Sequence, residues 1–203
     1  MSRVVLQMQI SIDGYVDSSV GARWAVWDWN PATWPWSPTL RAAFNETIER
    51  AAGVLLSRPM VQGGYLDHWA GVADVRALDA DFRFARRIVS LPKFVVTGTA
   101  YSSSAQNVAV LRGSLEVTVD TAKARAGGDL ICFGGAGLAS ALLQRGLVDE
   151  VQLYVNPGLA GRGARIFDSS MASQRWELVD ATAHACGVVV QTWSTHEAPG
   201  AAA

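Results

Sequence analysis

The sequence predicts a single α/β domain: a mixed, mostly parallel central sheet flanked by helices and closed by a C-terminal β-hairpin. Three observations predict it. Short runs of Val, Ile and Leu alternate with segments of helical period from residue 4 to residue 155, the pattern of a parallel sheet covered by helices on both faces. The stretch Gly127-Gly-Asp-Leu-Ile-Cys-Phe-Gly-Gly-Ala-Gly-Leu-Ala-Ser-Ala-Leu-Leu143 reads as strand, glycine turn, helix. Two strand-like runs around Gly187 then close the fold as a hairpin.

Taken in order, Val4–Ser11 alternates and suits a first strand, running into the turn Ser11-Ile-Asp-Gly-Tyr15. Residues 16–38 form a long irregular stretch holding Trp24, Trp27, Trp29, Trp34 and Trp36, five of the eight tryptophans. Loops of this length inside compact domains are usually lids or binding loops. A helix is predicted from Pro38 to Arg50, because Leu40, Phe44, Ile48 and Ala51 recur at helical spacing. Val54–Leu56 reads as a buried strand ending at Ser57-Arg58-Pro59, followed by a Gly63-Gly64 break and a surface loop carrying Tyr65, Asp67 and His68. Leu78–Arg87 is predicted helical, Lys93–Thr97 a strand closed by Gly98, Val108–Leu111 a strand, and Leu115–Ala124 a helix. After the glycine turn come a buried strand at Val151–Val155, a Gly/Pro-rich loop at Asn156–Gly163, and hairpin strands at Trp176–Ala183 and Val188–Trp193. No repeat or linker divides residues 1–197, and residues 198–203 read as a disordered tail.

Composition narrows the function. Half of the 203 residues are hydrophobic, 17% are charged and the net charge is −1, so the chain can bury a sizeable core. No run of Lys or Arg exists, which disfavours nucleic-acid and anionic-membrane partners. No apolar segment reaches the ~18–20 residues of a membrane span, and the protein reads as soluble and cytoplasmic. Cys132 and Cys186 lack Cys-x-x-Cys context and read as free thiols. His68, His184 and His196 have no partners at ligand spacing, so no metal site is expected. The turn Gly134-Gly-Ala-Gly137 opens a helix, and unpaired N–H groups there suit a phosphate; a tight connection that binds nothing accounts for the same residues.

Several pieces in this order resemble the dihydrofolate-reductase-like family that includes the reductase domain of riboflavin biosynthesis. They are Ser11-Ile-Asp-Gly-Tyr15, Leu55-Leu-Ser-Arg58 before a distant Trp69, Lys93-Phe-Val-Val-Thr97, Gly128-Asp-Leu-Ile-Cys-Phe-Gly-Gly135, Gly146-Leu-Val-Asp-Glu150, and Asn156-Pro-Gly-Leu-Ala-Gly-Arg-Gly163 with Phe167. The resemblance spans roughly residues 3 to 195 and implies an NADPH-dependent reductase of a small heterocyclic or carbonyl substrate, as a homodimer. It places Gly134, Gly135, Ala136 and Gly137, with Leu138, at the cofactor pyrophosphate. It places Ser57, Arg58, Thr97 and Gly98 at the adenosine-phosphate end, and Gln9 and Ile10 at the nicotinamide. Asp13 is the candidate proton donor, with hydrogen bonding to its own turn as the alternative. Asp28 is a second acid, beside Trp24 and Trp27, which could stack on a flat substrate or serve a dimer contact. Three departures stand out: Thr97-Gly98 lacks the arginine that often follows there, Met60-Val61 replaces a Thr-Tyr pair, and Phe133 occupies a position where riboflavin reductases carry a carboxylate. These departures also motivate a catalytically silent nucleotide- or ligand-binding protein on the same fold, and a dihydrofolate-reductase-type activity is the other alternative.

Overall fold

In the computed structural model, residues 2–16, 36–167, 169 and 171–195 are described; Trp24, Trp27, Asp28 and the tail at 198–203 lie outside them. The sheet is built outward from β1 (Val4–Ser11). On one side β1 pairs in parallel with β5 (Leu130–Cys132), Leu6 opposite Cys132. On the other it pairs in parallel with β6 (Glu150–Asn156), from Val5 opposite Glu150 to Ser11 opposite Asn156. Beyond β5 lie β2 (Gly53–Ser57), β3 (Lys93–Thr97) and β4 (Val108–Arg112), all parallel. Beyond β6 lie β8 (Val189–Ser194) and the edge strand β7 (Glu177–Ala183), which form the predicted hairpin. The eight-stranded order is β4-β3-β2-β5-β1-β6-β8-β7.

Helices cover both faces. On one lie α1 (Pro38–Arg50), α2 (Arg58–Gln62), α3 (Tyr65–Val75) and α4 (Arg83–Ser90), packed through Leu40, Phe44, Ile48, Trp69 and Phe84. On the other lie α5 (Leu115–Ala126) and α6 (Ala136–Gln144), packed through Val119, Ala122, Ala139, Leu142 and Leu143. Helix α1 starts where predicted: Ser37 Oγ accepts from the Leu40 N–H at 3.4 Å and Pro38 takes the first position. The neighbours β1 and β5 feed helices on opposite faces, α1 and α6. Such a switch point opens a crevice at the strands' carboxyl ends.

Two helical predictions change. Residues 65–75 form α3, and the expected surface loop is absent there. Gly64 adopts φ +89, a left-handed value that glycine tolerates, and turns the chain so that Tyr65, Trp69 and Val72 are buried on one helix face. The helix expected from Leu78 starts later, because Asp79 accepts from the Asp81 N–H and caps a 3₁₀ turn at Ala80–Phe82 ahead of α4; Leu78 is fully exposed. Asp149 and Glu150 are structural. Asp149 accepts from the Val4 N–H and pairs with Lys123, Glu150 pairs with Arg3, and Arg145 pairs with Glu116.

Candidate active site

At the switch point lies a cavity of about 210 Å³, small beside typical drug-sized sites of ~300–1,000 Å³. Its sheet floor is Gln7, Met8 and Gln9 of β1, with Tyr154 of β6. Its walls are Trp36, Phe44, Tyr65, Trp69 and Phe133, and Gly135 and Ala136 close one end. The aromatics hold one another in place. Trp36 stacks on Tyr154 with centroids 5.3 Å apart and planes 10° from parallel. Phe44 meets Trp36 and Tyr154 edge-on at 5.3 and 6.0 Å, and Phe133 lies 6.3 Å from Phe44 and 6.4 Å from Tyr65. Offset and edge-to-face packing of this kind is favourable beyond the area it buries. Burial raises the Tyr154 phenol above its ordinary pKa, so it stays protonated.

The glycine turn forms the cavity's rim. Gly134 has φ +96 and is joined to Gly135 by a cis peptide. That left-handed φ strains any other residue at Gly134, and a Cβ there would lie 3.0 Å from Met8 Cε. Gly135 precedes α6 without a side-chain cap, and the helix ladder begins with the Ala139 N–H on the Gly135 carbonyl. The first N–H groups of α6 therefore have no intrahelical partner and no side-chain cap. A Cβ on Gly137 would meet nothing within 4 Å, and one on Gly135 would just touch Met60 and Ser57 Oγ at 3.9 Å. Backbone this bare at a helix start fits a phosphate group.

The predicted residues fall into three groups. Gly134 to Leu138, Ser57 and Gln9 come together around the turn and the cavity. Arg58 and Thr97 gather one strand further along the same sheet edge, joined through Thr99, which sequence reasoning missed. Arg58 Nη1 donates to Thr99 Oγ1, and Thr97 Oγ1 accepts from the Thr99 N–H at 3.2 Å. Gly98 lies beside them, exposed. Ile10 and Asp13 are not brought to the cavity. The side chain of Ile10 sits in the opposite core, and only its carbonyl faces a partner, the Asn156 amide at 3.3 Å. The Asp13 carboxylate accepts from the backbone N–H groups of Ala160 at 3.0 Å and Gly161 at 2.7 Å. Hydrogen bonds from Ser11 and from these amides hold it down at about 2, ionised at neutral pH. Asp13 thus has the hydrogen-bonding role given above as the alternative to proton donation, to Ser11 of its own turn and to the 158–161 loop.

A family model for the RibD C-terminal domain matches residues 2–190. The chain belongs to this family. Among relatives, the Bacillus subtilis (strain 168) uncharacterized protein YyaP is 23% identical over 189 residues, 92% of each chain. Among solved structures, a putative riboflavin biosynthesis protein from Shewanella sp. PV-4 superposes with TM-score 0.68 at 19% identity, covering 96% of this chain and 99% of that one. The riboflavin biosynthesis reductase of Saccharomyces cerevisiae gives 0.59 at 14% identity, covering 96% and 90%. Dihydrofolate reductase of Enterococcus faecalis, solved with NADP(H), gives 0.56 at 13%, covering 96% and 97%. The match to the RibD C-terminal domain thus runs from the residues before β1 into β8. What sequence reading missed in it is the aromatic wall: Phe44 and Tyr154 read as ordinary helix and strand residues, Tyr65 as part of a surface loop, and Trp69 only as a member of the family pattern. The available signal was a pair of glutamines, Gln7 and Gln9, on one face of an otherwise apolar central strand.

Proposed function

We propose that the protein is an NADPH-dependent reductase of a small heterocyclic or carbonyl substrate. The observation that carries this reading is the meeting of an uncapped helix start with an apolar, aromatic-walled cavity at the switch point of the sheet. The N–H groups of Ala136, Gly137 and Leu138 would hold the pyrophosphate. Arg58, with Ser57, Thr97 and Thr99, would hold the adenosine-side phosphate, with Gly98 leaving room beside them. Gln9 lines the end of the cavity nearest the glycine turn and would face the nicotinamide. When bound, NADPH supplies the hydride.

The chain's own residues supply orientation and exclusion of water. Trp36, Phe44, Phe133 and Tyr154 would hold a flat acceptor against the sheet floor. Among the described residues no carboxylate lines the cavity, and Asp13 is committed to its loop. The proton is therefore assigned to water at the cavity mouth, with Asp28 of the aromatic segment as the residue that could order it. Trp24 and Trp27 of the same segment would cover the substrate.

The test is titration with NADPH and NADH followed by tryptophan fluorescence. NADPH is expected to saturate at lower concentration than NADH, and no saturable signal with either would sink the cofactor assignment. Gly135→Val should weaken NADPH binding at least tenfold; unchanged affinity would remove the pyrophosphate from this turn. The absence of an acid among the described cavity residues favours one second reading, a catalytically silent binding protein. NADPH binding with no oxidation across pyrimidine, pterin and carbonyl acceptors would establish it. We propose a homodimer, because β7 is exposed along its whole length, with Leu178 and Val179 48% and 61% exposed, and a cytoplasmic location, as is typical of the family. A monomeric mass by light scattering would refute the dimer.

A further inference from the structure

The floor of the cavity holds a buried amide with one unused end. Gln7 is 4% exposed, and its Oε1 is buried without a hydrogen-bond partner. Native proteins rarely leave such an acceptor unmade unless something else is to meet it.

The orientation of this amide is not arbitrary, because a chain of hydrogen bonds starting from a charge determines it. Glu150 Oε2 pairs with Arg3 Nη1 at 3.1 Å, and Glu150 Oε1 accepts from Gln152 Nε2 at 2.7 Å. A carboxylate only accepts, so Gln152 must turn its NH₂ toward Glu150 and its Oε1 toward Gln7. Gln7 must then present its own NH₂, which donates to Gln152 Oε1 at 3.1 Å and to Tyr154 Oη at 2.8 Å. Both donors of Gln7 are used, and swapping its O and N would set two oxygens against each other. Only the acceptor end remains without a partner.

The surroundings define what that ligand can be. Among the described residues lining the cavity there is no Lys, Arg, His, Asp or Glu. A phosphate or carboxylate placed there would lose its hydration without a counter-charge. The walls are flat aromatic faces at packing distance from one another, and the volume is small.

We propose that Gln7 is the specificity-determining residue of this cavity, and that the substrate is an uncharged, unphosphorylated flat ring carrying an amide-type N–H, which donates to Gln7 Oε1. The inference rests on the cavity being the substrate site of the reductase. It sets this chain apart from enzymes that act on phosphorylated ribosylamino-pyrimidines. Gln152 is a positioning residue: it fixes the amide of Gln7 without lining the cavity.

The experiment compares a lactam with the lactone of the same shape, isoquinolone against isocoumarin, by tryptophan quenching on the full chain with and without NADPH. The lactam should bind the native protein at least about tenfold more tightly. Gln7→Met should bring the two within about twofold, and Gln152→Met should give an intermediate ratio because the Gln7 amide is then free to turn. Thermal unfolding checks that both variants fold; if Gln7→Met does not, the native lactam-to-lactone ratio decides. Uridine monophosphate should bind no better than uridine. Equal affinity for lactam and lactone, a ratio that survives in Gln7→Met, a tenfold gain from the phosphate, or no saturation by any of these ligands at millimolar concentration each overturns the proposal. NADPH is titrated separately. Lactam preference without NADPH binding refutes the reductase reading and leaves the selection by Gln7 standing, whereas NADPH binding without lactam preference refutes the selection alone.

Discussion

The two faces of β1 are occupied by side chains with different tasks. Val4, Leu6, Met8 and Ile10 face α5 and α6 and join an aliphatic core with Leu130, Leu142 and Val151. Gln7 and Gln9 face α1 and α3, where the packing is aromatic and a cavity remains. A strand alternates its side chains by geometry, so one eight-residue segment can hold the domain together on one side and recognise a ligand on the other. The lesson is that polar residues in a central strand mark the face on which packing is incomplete and a cavity remains.

The largest test of this division is Leu6→Ala. Leu6 is fully buried on the aliphatic face, and its truncation should cost about 2–5 kcal/mol by urea denaturation. Gln9→Leu, on the other face, should change stability by less than ~1 kcal/mol; similar losses at both sites would break the comparison.

The next test concerns a polar group on the aromatic face that is satisfied. Lys93 is buried, and its Nζ donates to the carbonyls of Val89 at 2.7 Å and Leu91 at 2.8 Å. Burial lowers its pKa from 10.5 to about 8. Folding therefore disfavours its charged form. The cost is full below pH 8 and is relieved as pH rises toward 10.5, so stability should increase over that window by roughly 1–3 kcal/mol from this group. Urea melts of the native protein and of Lys93→Met across these pH values check it: the increment should be absent from the variant.

A smaller effect is expected at the far end of the site. Arg58→Ala should weaken NADPH about tenfold, ~1.4 kcal/mol, and leave NADH nearly unchanged, measured by fluorescence titration. Equal losses for both cofactors would move the adenosine-side phosphate away from Arg58. The smallest is at Asp13. Asp13→Asn should alter kcat by less than about twofold, since the carboxylate holds the loop at Ala160 and Gly161 and no proton is drawn from it. A drop of a hundredfold or more would return it to the chemistry.

Much of the fold was legible because it is written in local periodicity. Val4–Ser11, Pro38–Arg50 and Lys93–Thr97 match prediction residue for residue, since apolar spacing, a Ser-Pro start and β-branched runs act over a few residues. The loop-for-helix error at 65–75 arose because two glycines were read as the end of structure. In space they are the elbow between α2 and α3. The site was half legible. The glycine turn and Arg58 lie in contiguous motifs, whereas the cavity wall is assembled from Trp36, Phe44, Trp69, Phe133 and Tyr154, which only the tertiary fold brings together. Asp13 illustrates the opposite limit. Its neighbours in sequence suggested an acid at the strand end, and beyond Ser11 its bonds are to residues 147 and 148 positions away.

One arrangement described above bears on how this site could diversify. Val16 and Trp36 both line the cavity. The first is tied down by the Val16 N–H on the Ala164 carbonyl, beside the Tyr15 ring on which the Arg165 guanidinium rests at 3.9 Å. The second is stacked on Tyr154. The segment 17–35 thus departs from and returns to two fixed posts on the rim of the same chamber. Its length and composition can be rewritten while both posts stay where they are, with the eight strands left as they stand.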